Sequence, residues 1–257
     1  MNHTPDTCSS SHADRSQKLF DVAILAGGFG TRLLPATQRV PKALLEVNGE
    51  PFIAHQLRLL RERGLARAVV CAGHLGEMIR EFVGDGARFG LAVAFSMDGP
   101  SLLGTAGALK KALPLLSDSF FVLYGDSYLP CDYCAVQESF LKSGKAACMT
   151  IYRNEGQWDR SNVEFADGAL VAYEKTHPTP RMHYIDYGLG VLSQRAFVHI
   201  PPAEHYDLAH LYQDLLRRGD VAAFEVSQRF YEIGSFRGIE EVGRYLANRA
   251  QAKRDPC

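Results

Sequence analysis

The chain has 257 residues, 46% of them hydrophobic, with 28 basic and 29 acidic side chains and a formal net charge of −1. This length can bury a substantial core, and the balanced charge excludes a globally basic surface for nucleic acid, so any anion site must be local. No apolar run approaches the length that spans a bilayer, and the polar first residues lack the core of a signal peptide, so we expect a cytoplasmic protein without a membrane partner.

The first half of the chain alternates strands with helices. After a polar leader over residues 1–18, which we expect to be disordered, a single domain is predicted over 19–250, and its first half covers about 19–150. The predicted strands are "FDVAILAG", "ARAVVCAG", "LAVAFSM", "SFFVLYGDS" and "KAACMTIYR", with one helical segment between each pair. Strands separated by single helices predict βαβ units, and therefore an α/β fold with a doubly wound, mostly parallel, Rossmann-like sheet.

The second half, about 151–250, has a different pattern. "SNVEFADGALVAYEKTH" holds two short alternating segments around Asp167-Gly168, which predicts a hairpin. A strand "YIDYGLGVLS", a helix "DLAHLYQDLLRRG", paired strands in "VAAFEVSQRFYEIG" and a terminal amphipathic helix follow. We expect a small antiparallel flap over the open edge of the sheet. The terminal helix is a candidate contact for a homodimer, or it packs on the sheet.

Six cysteines are scattered along the chain. Cys131 and Cys134 have the C-x-x-C spacing, and His205 and His210 would complete four zinc ligands. The two pairs are far apart in sequence, and the histidines fall at a predicted helix start. We therefore expect reduced thiols rather than a zinc site or a disulfide framework.

A glycine-rich turn, "LAGGFGTRL", follows the first strand. Gly27, Gly28 and Gly30 allow the backbone to approach a ligand closely and to offer amide groups to phosphate oxygens. Leu33 stands where the dinucleotide fingerprint requires its third glycine, and no Gly-Lys-Ser/Thr follows as in a P-loop. A phosphate-binding turn of another type remains.

Charged residues accompany this turn. Arg32 and Lys42 are two cations beside a cradle of amides, which suits a triphosphate that releases pyrophosphate. Asp126 follows a buried strand whose carboxyl end meets the same edge of the sheet, where α/β proteins bind ligands. Mg²⁺ takes one or two carboxylates together with phosphate oxygens. We therefore predict Asp126 as a Mg²⁺ ligand and Glu232 as the second ligand.

Six segments, in order, resemble those of the sugar-1-phosphate nucleotidylyltransferases. The glycine turn with Pro41-Lys42 is similar to that family's G-G-x-G-T-R-L and P-K motif, "LLGTAGALKKAL" to its L-G-T-A-G-A segment and "YGDS" to its metal-binding turn. "YEKTHP", "IDYGLGVL" and "FYEIGSFRGIEEV" resemble its E-K-P, N-A-G-I-Y and W-x-D-x-G-T-P segments. The resemblance spans roughly residues 20–247 and implies a nucleotidyltransferase of the GT-A-like type, in which the flap binds the sugar.

The resemblance implies a role for each matching residue, as follows. The nucleotide-binding set is Leu25, Ala26, Gly27, Gly28, Gly30, Thr31, Arg32, Gly104 and Thr105, to which Asp98 is added as an acceptor for guanine or, alternatively, as a loop residue. The sugar-phosphate set is Asn162, Glu174, Lys175, Asp186 and Gly188. The catalytic set is Arg32, Lys42 and Asp126, and the metal pair is Asp126 and Glu232.

The implied reaction joins an NTP and a sugar 1-phosphate into an NDP-sugar and pyrophosphate, with Mg²⁺ as cofactor and these two small molecules as substrates. We favour GTP with a heptose or hexose 1-phosphate. A uridylyl- or cytidylyltransferase and a non-catalytic regulatory protein that binds nucleotide sugars are the alternatives. A dehydrogenase is disfavoured because the dinucleotide fingerprint is broken.

Overall fold

The computed structural model describes residues 18–202 and 204–254, so all but the last residue of the predicted leader lies outside the described part. The strands are β1 (Asp21–Ala26), β2 (Glu46–Val47), β3 (Glu50–Pro51), β4 (Arg67–Ala72), β5 (Ala92–Met97), β6 (Ser119–Tyr124), β7 (Ser127–Tyr128), β8 (Ala147–Arg153), β9 (Val163–Ala166), β10 (Ala169–Tyr173), β11 (Tyr184–Ser193), β12 (Val221–Val226) and β13 (Tyr231–Glu232). The helices are α1 (Phe52–Glu62), α2 (Gly76–Val83), α3 (Gly104–Ala112), α4 (Tyr133–Ser143), α5 (Leu208–Arg217) and α6 (Phe236–Arg254).

One mixed sheet organises the described chain. Its strand order is β10-β9-β11-β6-β1-β4-β5, and β8 pairs with both β11 and β12, which makes nine strands among the described residues. Strands β6, β1, β4 and β5 run parallel to one another, as the βαβ pattern predicts. The predicted α/β class with a Rossmann-like sheet and an antiparallel addition is confirmed.

The helices begin and end where local sequence signals predict. Pro51 precedes α1, and Gly64, two residues after the last residue of α1, has a φ of 91° that cannot continue the helix. The carboxylate of Asp132 caps α4 by accepting from the amides of Cys134 and Ala135. These signals depend only on neighbouring residues, so the ends of these helices can be predicted from the local sequence.

The second half differs from the prediction in its pairing. The segment over residues 221–234 does contain two strands, but they do not pair with each other: β12 runs parallel to β8, and β13 pairs with β7. The hairpin of β9 and β10 forms around the predicted Asp167-Gly168 turn and continues the main sheet beyond β11. The antiparallel addition is therefore continuous with the sheet and not a separate layer.

Both faces of the sheet are buried, and alternate residues of β1 show this directly. Val22 and Ile24 pack in one core with α1, α2 and α4, and Ala23 packs in the other with α3 and α5. A third, smaller cluster joins α6 to Phe52 and Tyr128. None of the described helices has the length and apolar character needed to cross a membrane. The polar residues that follow β1 and β6 therefore gather at one edge of a rigid, doubly covered sheet.

Candidate active site

The carboxyl ends of β1 and β6 lie side by side. Leu25 is in register with Tyr124, and the amide of Gly125 donates to the carbonyl of Leu25 at 2.9 Å. The glycine turn then leaves β1, and Gly30 has a φ of 64°, a conformation that favours glycine. The hydroxyl of Thr37 donates to the carbonyl of Gly30 at 2.9 Å and holds the turn. The turn and the end of β6 thus meet although about a hundred residues separate them.

A cavity of about 380 Å³ opens at this edge. Its lining residues are Leu25, Ala26, Gly27, Gly28, Gly30, Thr31, Arg32, Lys42, Ala43, Cys71, Asp98, Leu102, Gly104, Thr105, Ala108, Tyr124, Gly125, Asp126, His205 and Asp207. All ten residues of the predicted nucleotide-binding set and all three of the predicted catalytic set are among them. The volume falls within the range of ordinary small-molecule sites.

An ion pair links two residues of the catalytic set. Nζ of Lys42 lies 2.5 Å from Oδ2 of Asp126, and both side chains are largely buried. The other carboxylate oxygen, Oδ1, accepts from the hydroxyl of Ser127 at 3.4 Å. The carboxylate that we predict as a metal ligand is therefore paired with the lysine that we predict to bind phosphate.

Glu232 lies close to Asp126 through the pairing of β13 with β7. Glu232 is in register with Ser127, and the amide of Ile233 donates to the carbonyl of Asp126 at 2.9 Å. Burial, followed by the negative charge of Asp126, raises the pKa of the Glu232 carboxyl, while the cations Arg32 and Lys42 oppose that rise. Two carboxylates and two cations thus share one electrostatic environment.

This donor set fits a hard divalent cation. Mg²⁺ needs only one or two carboxylates when phosphate oxygens supply the rest of its coordination, and Asp126 is close enough to Glu232 for its negative charge to contribute to the raised pKa of the Glu232 carboxyl, after burial. Among the described residues there is no group of three or more His, Cys, Asp or Glu side chains that could hold a metal ion without help from a ligand. A metal at this edge would therefore depend on substrate phosphates.

Asp98 lies in the wall of the cavity and is only 8% exposed. Its Oδ2 accepts from the amide of Leu103 at 3.3 Å, and Lys111 donates to its main-chain carbonyl at 3.1 Å. Burial raises the pKa of the Asp98 carboxyl. A Cβ atom built on Gly27 would lie 3.5 Å from Oδ2 of Asp98. The carboxylate therefore lies directly against the glycine turn.

The N-terminus of α3 is closed by the segment before α5. The carbonyl of Tyr206 accepts from the amides of Ala106 and Gly107 at 2.8 and 3.0 Å. The hydroxyl of Thr105 accepts from the amide of Leu208 at 2.6 Å. Thr105 and its neighbour Gly104 line the cavity, but the Thr105 hydroxyl and the amides of Ala106 and Gly107 already have protein partners.

The predicted sugar-phosphate set forms a neighbouring group outside the cavity lining. The Asp186 carboxylate accepts from the Tyr173 hydroxyl and from the Gly188 amide, both at 3.0 Å, and the amide of Asp186 donates to Oδ1 of Asn162 at 2.9 Å. Lys175 donates to the hydroxyl of Tyr124 at 3.1 Å. Tyr124 lines the cavity as well, so it connects the two groups.

The Glu174 carboxylate forms hydrogen bonds with other side chains and amides of the protein. Its Oε1 accepts from the amide and the hydroxyl of Thr176 at 2.8 and 2.6 Å, and Oε2 accepts from Gln213 at 3.4 Å. The two bonds from Thr176, with its hydroxyl first, lower the pKa of the Glu174 carboxyl. The structure therefore brings Lys175 and Asp186 toward Tyr124, while the Glu174 carboxylate holds the turn after β10.

Sequence reasoning missed several lining residues, of which Tyr124, His205 and Asp207 carry polar groups. Tyr124 stands directly before the Gly125-Asp126 turn, so its place at the end of β6 was a usable signal. Asp207 stands at the start of α5, where an aspartate ordinarily indicates a helix cap. No local pattern shows that the start of α5 lies against α3.

Comparison with known proteins places this chain in a family. The sequence model described as "Nucleotidyl transferase" matches residues 22–248, which is most of the chain. The chain belongs to the nucleotidyl transferase family. Its cavity edge, with the glycine turn, Lys42 and Asp126, lies within the matched range.

Curated relatives within the family carry different substrate names. The chain is 28% identical over 201 residues to a UTP–glucose-1-phosphate uridylyltransferase of Synechocystis (72% of this chain, 52% of the relative). It is 39% identical over 113 residues to an N-acetylmuramate alpha-1-phosphate uridylyltransferase of Neisseria meningitidis (44% and 49%). It is 25% identical over 214 residues to a D-glycero-alpha-D-manno-heptose 1-phosphate guanylyltransferase of Campylobacter jejuni (82% and 93%). The matches thus span about half the length of the first two relatives and nearly all of the third.

Solved structures share the fold. A putative glucose-1-phosphate thymidylyltransferase from Bacillus anthracis, in complex with a sucrose, superposes with a TM-score of 0.78 at 21% identity (88% of this chain, 94% of that chain). HddC from Yersinia pseudotuberculosis superposes with a TM-score of 0.73 at 23% identity (89% and 100%). The fold of this chain is therefore found in proteins of low sequence identity to it.

Proposed function

We propose that this nucleotidyl transferase is a sugar-1-phosphate nucleotidylyltransferase. An oxygen of the sugar 1-phosphate attacks the α-phosphorus of an NTP, the new P–O bond forms in line with the bond to the β-phosphate, and pyrophosphate leaves with that bond's electrons. No protein nucleophile is needed. Because two anions must meet, the site has to neutralise charge and align the reactants.

One observation carries the proposal: a glycine turn, a cation and a carboxylate converge on a single cavity at the ends of β1 and β6. The convergence combines Gly28, Arg32, Lys42 and Asp126, with Glu232 close behind Asp126. No atom lies within 4 Å of a Cβ built on Gly28, so a ligand has free access to the backbone there. Such a combination suits a polyphosphate and has no use in a purely structural loop.

Each residue then takes a distinct task. The amides of the glycine turn donate to phosphate oxygens, and Arg32 offsets the charge of the departing pyrophosphate. Lys42 draws the reacting phosphates together. Asp126 and Glu232 would hold Mg²⁺, which when bound supplies Lewis-acid polarisation of phosphate oxygens. Lys175, beside Tyr124, offers a cation for the sugar phosphate.

For the base, we propose guanine, recognised by Asp98. A carboxylate only accepts hydrogen bonds, and guanine presents two adjacent donors, N1–H and the N2 amino group, whereas uracil presents one donor between two carbonyl oxygens. The Campylobacter relative, matched over 93% of its length, is a heptose 1-phosphate guanylyltransferase, and the Yersinia structure exists as a complex with GMP-PN. For the second substrate, we propose a heptose or hexose 1-phosphate.

The reaction is tested by Mg²⁺-dependent pyrophosphate release from a panel of NTPs and sugar 1-phosphates. We expect release with at least one pair, and a loss of about 10²–10³-fold in turnover for Asp126→Asn, as for removal of a preorganised charge. Asp167→Asn, in the exposed β9–β10 turn, is the matched control and retains turnover. Near-normal turnover of Asp126→Asn, or no release with any pair, contradicts the proposal.

The base is tested by thermal unfolding with each of the four NTPs and Mg²⁺. A ligand that binds only the native state raises the melting temperature, and we expect GTP to raise it most. Asp98→Asn replaces one acceptor oxygen by a donor, so the advantage of GTP over UTP should disappear in that variant. An unchanged GTP preference in Asp98→Asn would remove Asp98 from base recognition.

A further inference from the structure

In the part of the chain that the structure describes, two helices are each preceded by an aspartate, and only one of these aspartates acts as a cap. Oδ1 of Asp132 accepts from the amides of Cys134 and Ala135 at 3.0 and 3.1 Å, the usual arrangement at the start of a helix. Asp207 occupies the same position at the start of α5, with an extended backbone (φ −89°, ψ 141°). Its side chain makes no capping hydrogen bond.

The capping task at α5 is done by another helix. The Thr105 hydroxyl, on the first turn of α3, accepts from the amide of Leu208 at 2.6 Å. In return, the carbonyl of Tyr206 accepts from two amides of α3. The starts of α3 and α5 therefore satisfy each other's backbone groups. The Asp207 carboxylate therefore does not cap α5, although its position predicts that it would; we call it the released carboxylate.

The released carboxylate lies in the wall of the cavity. Asp207 is half-buried there beside His205, and among the described residues no side chain or amide donates a hydrogen bond to its carboxylate, whereas its main-chain carbonyl accepts from the amide of Leu211. Its charge acts on the ammonium group of Lys175, which donates to the hydroxyl of Tyr124. Asp207 thus lines the same cavity as Tyr124, the residue to which Lys175 of the sugar-phosphate set donates.

We propose that Asp207 is a specificity-determining residue that accepts hydrogen bonds from hydroxyl groups of the sugar 1-phosphate; this assignment rests on the proposed function. A carboxylate has acceptors only and repels phosphate, so its ligand is the neutral, hydroxyl-bearing part of a substrate. Hydrogen bonds from hydroxyl groups to a carboxylate are among the stronger ones in proteins. The cations Lys42 and Lys175 remain for the phosphate end.

Steady-state kinetics of Asp207→Ala and Asp207→Asn test the assignment. Hydrogen bonds to a charged group are worth enough for a rise of about 10- to 100-fold in the KM for the sugar 1-phosphate. The KM for the NTP should change by less than about threefold, since the ribose is not the ligand. A rise confined to the KM for the NTP would assign Asp207 to the ribose and overturn the proposal, as would an unchanged KM for both substrates.

Deoxy analogues of the sugar 1-phosphate identify the contact as a hydrogen bond. Removal of the hydroxyl that binds Asp207 should weaken binding of the sugar 1-phosphate to the wild-type protein, and it should have little further effect on binding to Asp207→Ala. The comparison is a double-mutant cycle in which the substrate is one of the two partners. If every deoxy analogue loses the same factor in both proteins, no hydroxyl is coupled to Asp207 and the assignment is wrong.

Asp132→Ala is the matched control for stability. It removes a working cap and should lower the melting temperature by about 2–4 °C, with turnover unchanged. Asp207→Ala should leave the melting temperature within about 1 °C of the wild type, because Thr105 provides the cap. An equal fall in both variants would show that Asp207 is a cap after all.

The outcomes separate the two levels of the argument. If the wild-type protein releases no pyrophosphate with any substrate pair, the proposed function fails and the assignment of Asp207 fails with it. If the wild-type protein is active and the KM for the sugar 1-phosphate is the same in Asp207→Ala, only the assignment fails. The melting temperatures test the released cap independently of turnover.

Discussion

Lys42 and Asp126 are 84 positions apart in the chain, and their Nζ and Oδ2 atoms are 2.5 Å apart in the structure. In this arrangement, both oxygens of the carboxylate already have protein donors, Lys42 and Ser127. A metal ion that arrives alone must displace the lysine. A metal ion that arrives with a triphosphate need not, because the phosphates offer the lysine another anion. If Asp126 holds the metal as we propose, we expect the ion pair to favour joint binding of metal and nucleotide.

Lys42→Gln should separate these two effects. Without the competing ammonium group, we expect Mn²⁺ alone to bind at least about fivefold more tightly. This factor corresponds to the loss of an ion pair worth about 1 kcal/mol. Turnover should fall by about 10²–10³-fold because the phosphates lose a cation. Titration of Mn²⁺ followed by electron paramagnetic resonance, without nucleotide, measures the first effect.

Lys145→Gln is the control for this measurement. The ammonium group of Lys145 donates to the carbonyl of Gly219 at 2.5 Å. The substitution therefore removes a lysine that has a protein partner but is not paired with a carboxylate of the metal site. Mn²⁺ affinity should be unchanged in this variant. Weaker or equal Mn²⁺ binding by Lys42→Gln would mean that the ion pair does not restrict access of the metal.

At the same scale, the sequence predicted the residues of the cavity edge that follow strands and missed those that come from elsewhere. Gly28 and Asp126 follow apolar strands, and parallel strands bring their carboxyl ends to one edge, so their meeting at the cavity follows from the βαβ pattern. Asp207 has a sequence signal for a different task, helix capping. The amide of Leu208 is capped instead by the hydroxyl of Thr105, 103 positions away from Leu208, and no local pattern encodes this contact.

Among the elements, the contact between α3 and the segment before α5 forms one wall of the cavity. Gly104 has a φ of 71°, and a Cβ at this position would lie 2.8 Å from the carbonyl oxygen of Tyr206 and 3.1 Å from the ring of His205. The glycine is needed both for its backbone conformation and for the close approach of the segment. The wall would therefore shift if Gly104 gained a side chain.

Gly104→Ala should destabilise the protein by about 1–2 kcal/mol from the left-handed conformation alone, which corresponds to a fall of about 2–8 °C in melting temperature. Nucleotide binding should weaken as well, because Gly104 lines the cavity. Gly28→Ala is the comparison: nothing lies within 4 Å of its Cβ position, so stability should hold while nucleotide affinity falls.

Thermal unfolding with and without nucleotide distinguishes these two variants. If Gly104→Ala has the stability of the wild-type protein, the segment over residues 204–207 yields without cost and does not define the wall. If Gly28→Ala loses stability in the absence of nucleotide, its glycine serves the fold and not the approach of a ligand.

The elements also show where sequence patterns stop. Strand positions in the second half were predictable from alternation and turn residues, and the Asp167-Gly168 hairpin is present. The predicted pairing of β12 with β13 was wrong, because alternation identifies a strand but does not select its neighbour. The connection of Ser227, Gln228, Arg229 and Phe230 has no Gly, Asn, Asp or Pro to favour a tight hairpin, and the two strands pair with β8 and β7 instead.

For the whole molecule, the burial of both faces of the sheet has a consequence for stability in alkali. Cys71 on β4 and Cys148 on β8 are completely buried, and burial raises the pKa of each thiol to about 12, from an ordinary value of 9.0. Cys131, beside β7, is raised to about 12 as well, again mainly by burial. The folded chain therefore keeps these protons at pH values where the unfolded chain loses them.

The direction of the pH dependence follows from proton linkage. Below about pH 9, the thiols are protonated in both states and contribute no pH dependence. Above about pH 9, the unfolded state binds fewer protons than the folded state, so the free energy of unfolding falls as the pH rises. Each buried thiol contributes a slope of about 1.4 kcal/mol per pH unit between its unfolded and its folded pKa.

Cys148→Ala should therefore reduce the loss of stability between about pH 9 and about pH 10.5, measured by urea unfolding, by about 1.4 kcal/mol per pH unit. Val191→Ala is the control, because Val191 is buried and in register with Cys148 on the neighbouring strand, and it has no proton to lose. It should lower stability by the same amount at every pH. If Cys148→Ala behaves in the same way, with a constant offset and an unchanged slope, the Cys148 thiol ionises without unfolding, and the sheet around it is less closed to water than its packing implies.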